Sequence, residues 1–300
     1  MFSRRIQVID REAYRIRLDD AKGRNISSNL AIHDLFSFDV IGNSRQRLNF
    51  EGLFGQYEAL MKTNTIELLR KLRGGSSDIK KEVLELFVAK FVNFLRNPYS
   101  VKKVLNTIGG LLSFRPTDPE LLDKYNAVLA GKKPHQEYLC NELGIDAGEY
   151  QAWLSALFMA LFRPRPDEMN LMERIVKAVF ENPSGFPLVT VDQYVGEHVG
   201  KTCLISDRGY SIPIPEDQAL SFSFNLCSNA FINYTFADIE RFASADVNPR
   251  ILDAYRVQQK RVQVIFRSND VTALSSYNRH VVYQCFRSVY CSTKAIYGLP

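Results

Sequence analysis

The stretch that decides the fold is DIKKEVLELFVAKFVNFLRNP, residues 78–98. Its apolar side chains recur every three or four residues, so they lie on one stripe of an α-helix. The residues on this stripe are Val83, Leu84, Phe87, Val88, Phe91 and Leu95. Asp78 can cap the first turn, and Asn97-Pro98 ends the helix because proline cannot continue it. The sequence therefore predicts an amphipathic helix packed on an apolar core.

The same helical spacing continues on both sides of this stretch. An earlier helix begins near Asn49 with the apolar stripe Phe50, Leu53, Phe54, Tyr57, Leu60 and Met61. Gly74-Gly75-Ser76-Ser77 separates the two helices. Boundaries rich in proline and aspartate then divide a series of predicted helices, at about 99–113, 118–130, 134–143, 147–162 and 167–181. We therefore expect a helical region over residues 49–182.

The two ends of the chain alternate apolar and polar residues, which is typical of strands. Residues 5–10 and 14–18 predict a hairpin in an N-terminal β element, 1–45, with Phe36 and Phe38 as anchors in an otherwise loop-like segment. Further strands are predicted at 188–191, 201–206, 219–224 and 262–266, before a terminal helix from Asp270 that includes Val289. The predicted class is α+β, predominantly α: an N-terminal β-hairpin, a helical middle and a mixed C-terminal part, 187–300, in one globular unit over 1–300.

Composition excludes several classes of protein. Five cysteines without a Cys-x-x-Cys pair predict reduced thiols rather than a disulfide framework or a zinc site. The longest apolar stretch, 152–162, is too short for a membrane span, which needs about 20 residues. No secretory signal is visible at the start. We therefore expect a cytoplasmic protein without a membrane partner. The common nucleotide-binding and hydrolase motifs are absent, so we expect no cofactor and no metal.

Charge is distributed unevenly along the chain. Residues 250–300 hold 8 basic and 2 acidic side chains, whereas residues 76–249 hold 17 basic and 22 acidic ones. Arginine and lysine contact phosphates, and interspersed aromatic residues stack on bases. The candidates for nucleic-acid binding are Arg256, Lys260, Arg261, Arg267, Arg279 and Arg287. Two alternatives stay open: the basic ends dock on the acidic middle, and the aromatic residues belong to the core of the terminal helix.

Two glutamates in the first long helix form a second group of candidates. Glu51 and Glu58 are seven residues apart, so they lie within about 20° on the same face. The helix rise separates their backbones by about 10 Å, which is long for a carboxylate pair that shares a proton. Gly52 and Gly55 lie beside them and predict close approach by another backbone. Two separate ion pairs are the simpler alternative to a functional site.

Several polar residues occur in an order that carries a family resemblance. They are Glu51 and Glu58, Arg96-Asn97-Pro98, Ser206-Asp207 after a predicted strand, and Asn278 with Arg287 in the terminal helix. With the early strand 6–10, this ordered set resembles an uncharacterised family of bacterial and phage proteins, catalogued as domain of unknown function four-two-three-eight. The chain departs from that family in lacking its His-Tyr-Val-Pro motif, and Asn93 stands where glutamine is frequent. The resemblance implies these site residues but no established activity.

Two functions follow as hypotheses. The first is a binding or interaction protein, associated with RNA or DNA through the basic, aromatic C-terminal region, with a protein partner as a further option. The alternative is a hydrolytic enzyme at the seam between the helical and C-terminal parts. Its candidate catalytic residues are Glu51, Glu58, Arg96, Ser206, Asp207 and Asn278. The same residues can instead form a buried polar network. A role in phage–host conflict rests only on where relatives of the family occur.

Overall fold

The computed structural model describes residues 2–4, 6–10, 15–18, 22–23, 35–41, 45–130, 133, 136–163, 165, 167–213, 219–238, 249–257, 262–293 and 296–299. The predicted class, α+β and predominantly α, is confirmed, with its N-terminal hairpin, helical middle and mixed C-terminal part. The chain divides into two compact units. These are a helical unit, 31–70 and 81–176, and a mixed unit, 1–30, 71–80 and 177–300. That residues 1–300 form one globular unit stays a prediction.

The elements follow in chain order. The strands are β1 (Phe2–Arg4), β2 (Ile6–Asp10), β3 (Arg15–Leu18), β4 (Lys22–Gly23), β5 (Ser37–Ile41), β6 (Arg45–Asn49), β7 (Gly185–Gln193), β8 (Ile205–Ser206), β9 (Leu220–Cys227), β10 (Ala230–Asp238), β11 (Gln263–Ser268) and β12 (Val289–Tyr290). The helices are α1 (Glu51–Arg73), α2 (Lys80–Leu95), α3 (Val101–Ile108), α4 (Pro119–Ala130), α5 (Gln136–Leu143), α6 (Ala147–Leu161), α7 (Leu171–Phe180), α8 (Pro249–Val257) and α9 (Val271–Gln284).

Helix α6 is the centre of the helical unit. Asp146 and Glu149 form a capping box at its first turn, which satisfies backbone N–H groups that a helix start leaves unpaired. The helix is apolar on most of its surface and packs against α3, α4 and α5. Trp153, the single tryptophan of the sequence, is buried and donates from Nε1 to the Leu95 carbonyl at 2.7 Å. The core of this unit therefore forms around α6.

The mixed unit contains a sheet with the strand order β11-β7-β10-β9. Its neighbours are antiparallel except β7 and β11, which run parallel. A smaller sheet has the order β4-β1-β12-β8, and β2 pairs with β3 as the predicted hairpin. Helix α9 buries Leu274, Tyr277 and Val281 in a core shared with Leu204 and Phe231. Asp270 caps its start by accepting from the Ala273 N–H.

The structure differs from the expected elements at five places. Strands β5 and β6 form a hairpin in a segment expected to be loop, although the anchor Phe36 is buried as predicted. The side chain of Phe38 lies outside the described residues. Strand β10 and helix α8 were not predicted. The strand expected over 201–206 is reduced to β8, and the terminal helix ends at Gln284, so Val289 belongs to β12.

The helices were also compared with the length and apolar character that a membrane span requires. Among the described residues, the helices include none with the length and apolar character required to cross a membrane.

Candidate functional site

Arg96 connects the two glutamates of α1. It follows the last residue of α2, and its guanidinium donates to Glu58 Oε1 while lying 4.0 Å from Glu51 Oε2. The same group lies 5.1 Å from the ring centre of Phe54. The carboxylate side chains are about half exposed, at 56% for Glu51 and 46% for Glu58. One arginine therefore contacts both glutamates, an arrangement that neither the functional site nor the two separate ion pairs had specified.

The glycines beside these glutamates are not crowded. Among the described residues, no heavy atom outside the local helix lies within 4 Å of a Cβ added at Gly52 or at Gly55. The prediction that another backbone approaches them closely is therefore wrong for this structure. Both residues are exposed on α1, where side chains face open space.

Asp207 acts on the backbone that follows α9. Its buried carboxylate accepts from the N–H groups of Phe286, Arg287 and Ser288, at 2.8, 2.6 and 2.9 Å. Burial raises the pKa of this carboxyl, while the three donors and the Arg208 charge oppose the rise. A continuing helix would direct these N–H groups to carbonyls four residues earlier. Asp207 therefore stabilises the end of α9 and the turn into β12.

Asn278 holds the irregular segment before β8. Its Oδ1 accepts from the Leu204 N–H at 3.0 Å, and its Nδ2 donates to the carbonyls of Thr202 and Tyr297. The Tyr277 hydroxyl donates to the Leu204 carbonyl at 2.9 Å. Side chains of α9 thus form hydrogen bonds with the N–H and the carbonyl of Leu204, which would otherwise pair with a neighbouring strand. This explains why the strand expected over 201–206 is short.

Ser206 is buried in β8, where its backbone pairs with Val289. Its Oγ has no hydrogen-bond partner among the described residues. The six candidate catalytic residues therefore form two groups. The structure brings Glu51, Glu58 and Arg96 together in the helical unit, and it places Ser206, Asp207 and Asn278 in the mixed unit. Their catalytic role stays a prediction. Within the described ranges, no three His, Cys, Asp or Glu side chains are arranged to hold a metal ion.

The basic candidates differ in their surroundings. Arg267 donates to the fully buried Asp192 at 2.8 Å and lies 3.6 Å from Asp270. Burial raises the pKa of the Asp192 carboxyl, and the Arg267 hydrogen bond and charge oppose that rise. Arg256 pairs with Asp253 within α8. Lys260 and Arg261 lie outside the described residues.

The remaining two basic candidates, Arg279 and Arg287, are exposed. The Arg287 guanidinium lies 5.1 Å from the ring centre of Phe286. Among the aromatic residues of this region, Tyr277 is buried and stacks on Phe231 with ring centres 4.2 Å apart. It is therefore part of the core, as the alternative interpretation expected, and does not offer a stacking surface.

Arg279 lies in an open groove along the outer face of α9. The groove has a volume of about 930 Å³ and lies between that face and the segment 297–299. Its lining residues are Val271, Thr272, Ser275, Ser276, Arg279, His280, Val282, Tyr297, Gly298 and Leu299. This set contains two basic side chains and no carboxylate. Burial lowers the pKa of His280, so its imidazole is neutral at pH 7.

Gly298 fixes the second wall of the groove. Its φ is +80°, and an added Cβ would lie 2.5 to 2.7 Å from atoms of Ser275. A side chain therefore has no room at this contact. The Gly298 carbonyl accepts from Arg279 Nε at 3.0 Å and from Ser275 Oγ at 3.3 Å. The sequence analysis selected Arg279 but did not select His280 or the segment 297–299. The sequence feature that could have indicated this segment is Gly298.

Comparison with known proteins adds no relative. No family model matches the chain, and neither the curated proteins nor the solved structures contain a significant match. The resemblance to the uncharacterised family therefore stays a prediction, and function must be argued from the site.

Proposed function

We propose that this protein binds nucleic acid, through the groove beside α9 in the mixed unit. The observation that carries the proposal is a groove of about 930 Å³ whose described lining residues include Arg279 and His280 and no carboxylate. An arginine without acidic neighbours attracts phosphates and releases the counterions around them, and a neutral imidazole can donate a hydrogen bond to a phosphate oxygen. The 8 basic and 2 acidic side chains of residues 250–300 give the same region a positive balance.

The lining also suits a strand with exposed bases. Tyr297 offers an aromatic ring at the groove, and the Lys201 ammonium lies 4.8 Å from its ring centre. Rings of this type stack on bases without reading their sequence. The serine and threonine hydroxyls of the α9 face can donate to phosphate oxygens. A single strand is therefore the favoured form of the ligand, because a paired duplex covers its base faces.

Binding has more support than catalysis because of how the candidate catalytic groups are used. The Asp207 carboxylate accepts three backbone hydrogen bonds, and the Asn278 amide makes three hydrogen bonds to backbone. Arg96 is held by two glutamates. Groups committed in this way have little capacity left for a substrate. No specific contact favours a hydrolytic reaction at these positions.

Fluorescence anisotropy with labelled oligonucleotides tests the proposal. Single-stranded RNA and DNA of about 16 nucleotides, and the corresponding duplexes, are titrated at roughly 50 to 200 mM salt. We expect binding to single strands that weakens steeply with salt. Arg279→Gln should lower the affinity several-fold and reduce the slope against log salt by about 1.

Arg174 provides a matched control for Arg279. It is an exposed helical arginine of the helical unit, and its Nε also donates to a backbone carbonyl, that of Met169 at 3.1 Å. Arg174→Gln should leave both affinity and salt slope unchanged. The proposal fails if no oligonucleotide binds at low salt, if affinity is indifferent to salt, or if the two variants weaken binding equally. Equal affinity for polyglutamate would also contradict it, since the groove would then be an acidic-peptide site.

A further inference from the structure

Three side chains of the groove meet on consecutive turns of α9. Ser276, Arg279 and His280 are spaced i, i+3 and i+4, which brings their side chains together on one helix face. Ser276 and Arg279 are exposed, and His280 is half-buried. A hydroxyl, a guanidinium and an imidazole at this spacing form a set of donors for one phosphate group.

The Arg279 side chain is held in place for such a contact. Its Nε donates to the Gly298 carbonyl, and it forms no ion pair with any described carboxylate. An arginine fixed through Nε keeps its two Nη groups available as a fork, which matches the geometry of a phosphate. The hydrogen bond to the Gly298 carbonyl therefore orients the guanidinium along the groove.

Among the described residues that line the groove or contact its aromatic ring, the charged and titratable groups other than His280 include no carboxylate. They are Arg279 on the same helix, Tyr297 on the facing segment and Lys201 against the Tyr297 ring. The cause of the lowered pKa of His280 is burial alone. An anion placed beside the imidazole would supply the missing negative charge and favour the protonated form. The groove therefore has one permanent cation, Arg279, and one group, His280, that becomes a cation when a bound anion favours its protonated form.

We propose that a phosphate of the nucleic acid lies between Ser276, Arg279 and His280, and that its binding is coupled to proton uptake by His280. This inference rests on the proposed function and names the chemistry and regulation of the same groove. Coupling is reciprocal, so the ligand that favours protonated His280 binds more tightly as the pH falls. One coupled proton gives at most about a tenfold change in affinity per pH unit.

The test is the dissociation constant of the single-stranded oligonucleotide between about pH 5.5 and 8 at fixed salt, a range that brackets the usual histidine pKa. We expect the wild-type affinity to rise as the pH falls from the raised pKa of His280 in the complex to its lowered pKa in the free protein, by at most about tenfold per pH unit. His280→Gln should flatten most of this dependence while retaining salt-sensitive binding at pH 8. His198→Gln is the matched control, because His198 is a half-buried histidine of the same unit that does not line the groove. It should keep the wild-type profile.

Proton NMR provides a second readout that does not depend on affinity. The sequence has four histidines, so their ring signals can be assigned from His280→Gln and similar variants. Adding the oligonucleotide, or inorganic phosphate at higher concentration, should move the titration midpoint of His280 to higher pH.

The outcomes separate the inference from the proposed function. Salt-dependent binding with the same pH slope in wild type and His280→Gln overturns the phosphate coupling and leaves nucleic-acid binding intact. Absence of binding at every pH overturns both. If His280→Gln loses affinity at pH 8 as well, circular dichroism distinguishes unfolding from a lost contact. The His280 midpoint of the folded wild type then decides: an unchanged midpoint with ligand overturns the coupling.

Discussion

The two groups of candidate site residues both contain carboxylates but use them in different ways. In the helical unit, Glu58 and Glu51 stand about half exposed and share one arginine. In the mixed unit, Asp207 and Asn278 are at most 3% exposed and bind backbone groups. A surface ion pair is weakened by water and salt, whereas a buried acceptor cannot be replaced by water without reorganisation. The carboxylates of the two groups therefore differ in burial, and with burial in what their loss would cost.

The reason lies in the backbone that each group serves. Away from their ends, helices α1 and α2 pair their N–H and C=O groups within the helix. Their backbones therefore do not need hydrogen bonds from Arg96, Glu51 or Glu58. The segments 202–204 and 286–288 belong to no regular ladder over most of their length, and their buried polar groups need other partners. Asn278 and Asp207 supply them. Polar residues are thus used structurally where the chain is irregular.

The largest effect is expected from Asp207→Ala. Three backbone N–H groups lose their acceptor in a buried region, so we expect a loss of about 3 to 5 kcal/mol in the free energy of unfolding. Urea unfolding followed by circular dichroism measures it. Asp253→Ala is the control, because Asp253 is exposed and pairs only with Arg256 among the described residues. A cost below about 1 kcal/mol for Asp207→Ala would show that its carboxylate is not a structural acceptor.

Asn278→Ala should follow with a loss of about 2 to 3 kcal/mol. The Leu204 N–H and the carbonyls of Thr202 and Tyr297 would each lose a partner, and the small side chain leaves a cavity. Thermal unfolding by circular dichroism is the measurement. Ser276→Ala, on the exposed face of the same helix, should change stability by less than about 0.5 kcal/mol. Equal effects of the two substitutions would contradict the role assigned to the Asn278 amide.

The fold could be predicted from the sequence where the pattern is local and strong. The cap of α9 is Asp270, as predicted. The stripe of α2 was predicted only in part: Val83, Phe87, Phe91 and Leu95 are buried, whereas Leu84 and Val88 are half-buried. Outside the predicted stripe, Leu86, Val92 and Phe94 are also buried. Strand β10 was missed although Phe231 to Phe236 alternates, because no turn signal was recognised before it. The end of α9 could not be predicted, because it depends on Asp207, some 80 residues earlier in the sequence. The groove could not be predicted either, because Gly298 and Ser275 come into contact only in the folded chain.

The smallest effect is expected at the exposed ion pairs. Arg96→Met keeps an apolar side chain against Phe54 and removes the charge shared by Glu51 and Glu58. We expect a loss of about 0.5 to 1 kcal/mol at low salt, and less at about 1 M salt, where exposed charges are screened. Urea unfolding followed by Trp153 fluorescence is the measurement, because this indole bonds to the carbonyl of Leu95, next to Arg96.

Arg70→Met is the matched control for this comparison, since Arg70 forms an exposed ion pair with Glu67 on the same helix α1. Both variants should lose little and respond to salt alike. A loss above about 3 kcal/mol for Arg96→Met alone would mean that the pair behaves as a buried one. The contrast with Asp207 would then disappear, and the polar residues of both units would have to be assigned the same structural role.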